Sequence, residues 1–181
     1  MQQNFHLFWQ KYNMVIKAPS NPVISTTIPD WSREKANCWW SPPEQLLKSI
    51  RSYQRWRKQG GIVGSIFSKI DVIQYRFWSV VTGADIPLNT QIGGGLQLVH
   101  PNGIVIHPEA TIGVNCLILQ QVTIVGGVKI GSHVDIGAGA KIIRPVTIGD
   151  NAKIGANAVV VNDVPAGATA IGIPAKIINK L

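Results

Sequence analysis

The chain has 181 residues, 45% of them apolar and 14% charged, about one domain's worth and too apolar for a disordered chain. Its net charge is +8. The longest apolar stretch, 62–81, is broken by Lys69, Asp71, Gln74 and Arg76, which excludes a membrane-spanning helix.

Residues 1–40 read as irregular with one short helix, and Trp39-Trp40 as a packing pair rather than a base-stacking platform. Ser41-Pro42-Pro43-Glu44 has the form of a helix start, with a serine N-cap, proline in the first turn and glutamate completing a capping box. Leu47, Ile50, Tyr53 and Trp56 continue that helix, and Gly60-Gly61 ends it. A second helical stripe, Val63, Ile66, Phe67, Ile70, Ile73, Phe77 and Val80, stops near Gly83. Arg51, Arg55, Arg57 and Lys58 lie off the apolar stripe, either as a solvated face or as an anion-attracting patch.

Composition changes at this point. Residues 1–84 hold all thirteen aromatics and eleven Lys and Arg against four Asp and Glu, a net of +7. Residues 85–181 hold no aromatics, fourteen of the eighteen glycines and a net charge of +1. The expected organisation is a helical region over 1–84, a repeat domain over 85–162 and a C-terminal tail over 163–181.

Ile106, Ile112, Ile118, Ile124, Ile130, Ile136, Ile142, Ile148, Ile154 and Val160 follow one another every six residues, and a small or β-branched residue stands four places after each of the first nine. Ile86, Ile92, Leu98 and Ile104 form a second column, two residues out of step. Period six fits neither a helix nor a flat sheet; it fits short strands joined by tight corners and stacked as a solenoid. The outward positions, counted as Leu96, Val99, Val114, Leu117, Leu119, Val125 and Val159, are more apolar than a lone prism should show to water.

The slip lies within Leu98-Val99-His100-Pro101-Asn102-Gly103-Ile104. A pattern this regular breaks where something other than packing decides the residues. His100 sits in the break, and an imidazole is the side chain best suited to proton transfer near neutral pH; the alternative is a surface histidine.

Asp85-Ile86-Pro87, HPNGIVI at 100–106, QQVTI at 120–124, IGAGAKI at 136–142, KIGANAVV at 153–160 and GIPAKII at 172–178 resemble serine acetyltransferases. These are hexapeptide-repeat acyltransferases, and the likeness extends to relatives in bacterial exopolysaccharide gene clusters. The resemblance implies a mainly β fold, a left-handed parallel β-helix with three strands and 18 residues per coil behind a short helical region, assembled as a homotrimer. It implies acetyl-CoA as co-substrate and no metal, with His100 as the general base. Ala138, Gly139, Lys153 and Ala156 would flank the pantetheine arm and the adenine end, with Lys176 a further candidate for the phosphates. Backbone amides near Gly126-Gly127 would hold the thioester oxyanion. Asp85 and His107 are candidates for the acceptor, though Asp85 also reads as strand-entry polarity and His107 as a surface residue.

Two departures bear on the acceptor. Val99 stands where the family usually has an aspartate that orients the histidine, and Ile124–Ile130 runs six to six with no inserted loop to carry a second histidine and an arginine. A free amino-acid carboxylate is recognised well only by a placed cation. The expected acceptor is therefore a sugar or exopolysaccharide-precursor hydroxyl, with L-serine as the alternative and an inactive trimeric scaffold as a second one. The basic, aromatic first half is open to peripheral contact with a membrane surface.

Other signals are weaker. His100, His107 and His133 lack the 18-residue separation that would stack them as zinc ligands, and Gly93-Gly94-Gly95 lacks the lysine and helix of a phosphate loop. Cys116 fills an inward position and reads as core. No nucleic-acid-binding module accompanies the positive charge. Two cysteines without CxxC spacing and no basic-then-apolar leader set the expected compartment as the cytoplasm.

Overall fold

Strands of two or three residues are too short to stand without stacked neighbours, and a row of identical aliphatics is buried best against its own repeats. The computed structural model, which describes residues 25–36 and 38–178, satisfies both demands by coiling. The first coil consists of β1 (Gln91–Ile92), β2 (Gln97–Val99) and β3 (Val105–Ile106). The second has β4 (Thr111–Ile112), β5 (Leu117–Leu119) and β6 (Thr123–Ile124). The third has β7 (Lys129–Ile130), β8 (Asp135–Ile136) and β9 (Lys141–Ile142), and the fourth β10 (Thr147–Ile148), β11 (Lys153–Ile154) and β12 (Val159–Val160).

Strands from successive coils pair in parallel to make three faces: β1-β4-β7-β10, β2-β5-β8-β11 and β3-β6-β9-β12. This is the solenoid that the repeat implies, a left-handed parallel β-helix as the resemblance implies. The isoleucines stack in register, Ile112 on Ile130 and Ile130 on Ile148 along the first face, Ile118 on Ile136 and Ile124 on Ile142 on the others. All are buried, and each contributes about 2–3 kcal/mol of hydrophobic stabilisation. Stacking continues past residue 162: Val164 bridges to Ile148, β13 (Thr169–Ile171) pairs with β11, and β14 (Lys176–Ile178) closes that face antiparallel.

One outward assignment is corrected. Leu96 is fully buried. It stands four residues after the inward Ile92 and opposite Cys116, because the first coil keeps the six-residue period in its own shifted register. Val99, Val114, Leu117, Leu119, Val125 and Val159 are half-buried on the prism surface.

The helical region is a hairpin of α1 (Pro42–Gln59) and α2 (Gly61–Thr82), which meets the expected boundaries. The capping box does not form: Ser41 makes no side-chain cap bond. The hydroxyl instead accepts from the amide of Cys38 at 3.4 Å. Leu46, Leu47 and Ile50 are buried and join the prism core.

Arg51 belongs neither to a solvated face nor to an anion patch. It pairs with Glu34, in a 3-10 turn at Trp31–Glu34, and donates to the carbonyls of Ile92 and Gly93, pinning α1 to the first coil. Arg55, Arg57 and Lys58 are exposed. The second stripe also lies opposite to where a core-facing stripe would: α2 buries Gly64, Ser68, Asp71 and Thr82 and leaves its isoleucines, its phenylalanines and Val63, Val80 and Val81 exposed among the described residues.

Candidate active site

The corner between the second and third faces decides the position of His100. Val99 pairs with Leu119 and Val105 with Thr123, so residues 100–104 turn a corner that the next coil turns with 120–122. Gln121 donates its amide to Asn102 O at 2.9 Å. Gly103 takes φ 71°, matching Gln121 at 59°, Gly139 at 72° and Asn157 at 55° in the same corner of later coils. The two surplus residues are therefore His100 and Pro101.

A tight turn holds them. The Ile104 amide donates to Pro101 O at 3.1 Å, and Gly103, third in that turn, supplies the positive φ that type II turns require. Gly103 also donates to Gly83 O at 2.8 Å, fastening the corner to the end of α2. His100 is exposed and itself has φ 52°. Asn115, Gln121, His133, Asn151 and Asn157 share that conformation, but at corner positions that recur coil after coil. His100 adopts it outside the repeat, where left-handed backbone costs a non-glycine residue about 1–2 kcal/mol.

Beyond Gln120 and Gln121 in the coil directly above His100, the same edge carries small residues at Ala138, Gly139 and Ala156. Gly139 donates to Gln120 O and Asn157 to Ala138 O, each at 2.8 Å, so Ala138 and Ala156 stack in successive coils over the corner of His100. At one strand spacing per coil, Ala138 is about 10 Å and Ala156 about 14 Å along the axis from His100. Beside the edge, the outward column of the second face runs from Val99 and Leu119 to bare backbone at Gly137 and Gly155. A Cβ on Gly137 would come within 2.6 Å of Ala156 N, and one on Gly155 within 2.7 Å of Ile171 Cγ2. Lys176 pairs with Ile171 at the top of this column, roughly 24 Å from Val99 by five strand spacings.

Asp85 flanks the same corner from the third face. Its amide donates to Ile104 O at 2.8 Å, and its carboxylate is exposed beneath Val105. Burial, with the charge of Asp85 adding to it, pushes the Tyr75 phenol above its ordinary pKa.

The remaining sequence candidates lie elsewhere on the protomer. Lys153 is exposed on the other outward column of the second face, between Asp135 and Thr169. His107 and Gly126 sit at the next edge, where the third face turns into the first. The Glu109 amide donates to His107 Nδ1 at 3.2 Å, and the Glu109 carboxylate is 4.0 Å from it. A Cβ on Gly126 would stand 2.9 Å from His107 Nδ1, so the side chain below accounts for this glycine. One protomer thus gathers His100, Asp85, Ala138, Gly139 and Ala156 along one edge with Lys176 at its end, and keeps His107 and Gly126 apart from them.

Sequence reasoning missed Asn102, Gln121 and Lys141. Asn102 and Gln121 line the edge through their stacked backbones, and Lys141 Nζ donates to Gln121 O and to Thr123 Oγ1 beside it. The turn signal Pro101-Asn102-Gly103 and the lysine inside IGAGAKI could have found them. Of the other histidines, His133 is half-buried, its Nδ1 2.8 Å from Asn151 Oδ1 in the next coil.

Residues 127–162 match the family described as bacterial transferase hexapeptide (six repeats). The chain is 37% identical over 163 residues to the serine acetyltransferase of Escherichia coli K12, covering 82% of this chain and 58% of that protein. It is 36% identical over 157 residues to that of Haemophilus influenzae, with the same two shares. Among solved structures, soybean serine acetyltransferase complexed with serine superposes with a TM-score of 0.64 at 33% identity, over 77% of this chain and 58% of that one. A serine acetyltransferase in complex with CoA gives 0.65 at 34% identity over the same shares. The chain spans less than two thirds of the length of these curated relatives.

Proposed function

This chain carries the hexapeptide-repeat fold of the bacterial transferases, and from that premise we propose that it is an acetyl-CoA-dependent O-acetyltransferase with His100 as general base. The observation that carries the reading is the two-residue insertion: it puts an exposed imidazole, out of the repeat, at the foot of an edge that becomes small side chains and bare backbone from the third coil on. The thioester would lie along that edge, with Ala138, Gly139 and Ala156 beside the pantetheine arm and Lys176 and Lys153 towards the phosphates. Small residues let backbone approach such a ligand, and ammonium groups balance its charge.

In the reaction His100 takes the proton of the acceptor hydroxyl while its oxygen attacks the thioester carbonyl carbon. Collapse of the tetrahedral species breaks the carbon–sulfur bond, and the imidazolium returns the proton to the departing thiolate. Amides near Gly126-Gly127 would hold the oxyanion, which requires that edge from a neighbouring copy, since one protomer keeps it away from His100. A homotrimer packed through prism faces would supply it and would cover the half-buried Val99, Leu117, Leu119 and Val125. Asp85, at the foot of the same edge, and His107, from the neighbouring edge, are the groups available to the acceptor.

L-Serine is the acceptor favoured by the relatives, all of which are serine acetyltransferases among those compared above. A sugar hydroxyl is the second reading, favoured by one feature. The chain passes from β6 to β7 through the tight Gly126-Gly127 corner, with no inserted loop to bring a cation to a carboxylate. Free-thiol release from acetyl-CoA, followed with L-serine and with a panel of sugars, decides between them. Acetyl-CoA should also raise Tm, because a ligand that binds only the folded state stabilises it. No thiol release with any acceptor and no shift in Tm would mean an inactive scaffold.

A further inference from the structure

Amphipathic helices bury their apolar side. α2 does the reverse: Gly64, Ser68, Asp71 and Thr82 face inward, while Ile62 is 81%, Ile73 69% and Phe77 52% exposed. Val63, Ile66 and Ile70 lie along the same outward ridge. At the helical rise a 22-residue helix is about 33 Å long, so this is a straight, convex apolar ridge rather than a groove. Among the described residues nothing covers it.

The charges around the ridge restrict what can. In the hairpin formed by α1 and α2, Lys48, Arg55, Arg57, Lys58, Lys69 and Arg76 are exposed, whereas Asp71 is buried and Glu44 half-buried. The hairpin therefore shows water six cations and no fully exposed carboxylate. A second copy placed on the ridge would bring the same cations against them. An anionic bilayer surface meets both demands at once, taking the aliphatics into its interface and the cations among its headgroups. Trp39 and Trp40 are exposed beside the ridge, Trp40 edge-on to Trp78 at 5.7 Å, and indoles favour the headgroup layer. Contact is at the surface, because no helix among the described residues is long and apolar enough to cross a membrane.

We propose that α2, with the basic flank of α1, docks this protein peripherally on membranes rich in anionic lipid. The docking is independent of His100, so it stands or falls separately from the acetyl transfer.

The test is co-sedimentation of the full chain with vesicles of about one-third phosphatidylglycerol in phosphatidylcholine and with vesicles of phosphatidylcholine alone. Binding to the anionic vesicles only, weakened at about 1 M salt, is expected. I66E combined with I73E should abolish it, and R55E combined with K58E should weaken it about thirtyfold or more. Both pairs are exposed, so circular dichroism and Tm should match wild type. Absence of wild-type binding to anionic vesicles overturns the proposal. So does a change in oligomer mass in I66E/I73E with no vesicle binding by wild type, which would assign the ridge to another copy of the chain.

Discussion

Arg51 holds Glu34 with two nitrogens, Nη2 at 2.8 Å from Oε1 and Nε at 3.2 Å from Oε2. The guanidinium also donates to the carbonyls of Ile92 and Gly93, and Glu34 Oε1 accepts the amide of Leu96 at 3.0 Å. The pair ties the 3-10 turn, α1 and the first coil of the prism together.

R51A should therefore cost about 2 kcal/mol of stability, since it leaves Glu34 half-satisfied and two carbonyls without donors. Urea unfolding reads this as a lower midpoint. The pair is partly exposed, 21% for Arg51 and 8% for Glu34, so the loss should fall short of a fully buried ion pair. A midpoint equal to wild type would mean that the hairpin is held by other contacts.

Gly139 tests the edge. Its φ of 72° disfavours any side chain, and a Cβ there would collide with Asn157 Oδ1. G139A should lower stability by about 1–2 kcal/mol. It should also raise the KM for acetyl-CoA, because bulk is added where the pantetheine arm is proposed to lie. A raised KM for the acceptor alone would place the arm elsewhere.

Burial pushes the Cys116 thiol up to about 11, whereas Cys38 is exposed. A thiol reagent near pH 8 should modify one cysteine in the native protein and the second only on unfolding. The sign of the linkage follows: the folded state holds the Cys116 proton more tightly than the unfolded chain, whose value is about 8.5. The contribution of this group is fully present below that value and is lost as pH rises towards 11. A stability curve flat across that alkaline range would contradict the burial.

The prism was legible because Ile112, Ile130 and Ile148 each meet their own equivalent, so burial repeats in the sequence with the coil. His100 was legible as a break in that repetition. Leu96 was not, because Ile92 pairs with Ile112 twenty residues on, whereas later coils advance by eighteen, and outward places counted in one register fail in the other. Periodicity reports that α2 has an apolar side but not which neighbour it meets, and Gly64 on the other side is what lets α2 approach α1, since a Cβ there would stand 2.6 Å from Trp56 O. Arg51 looked like its basic neighbours because its partners, Glu34, Ile92 and Gly93, are 17, 41 and 42 residues away. No local pattern encodes such contacts.

The most direct test of the central claim is steady-state thiol release by H100A with the best acceptor. An exposed side chain carries little of the fold, so Tm should be unchanged. Turnover should fall by about 10²–10⁴ if the imidazole removes the acceptor proton. Wild-type turnover in H100A would contradict that assignment.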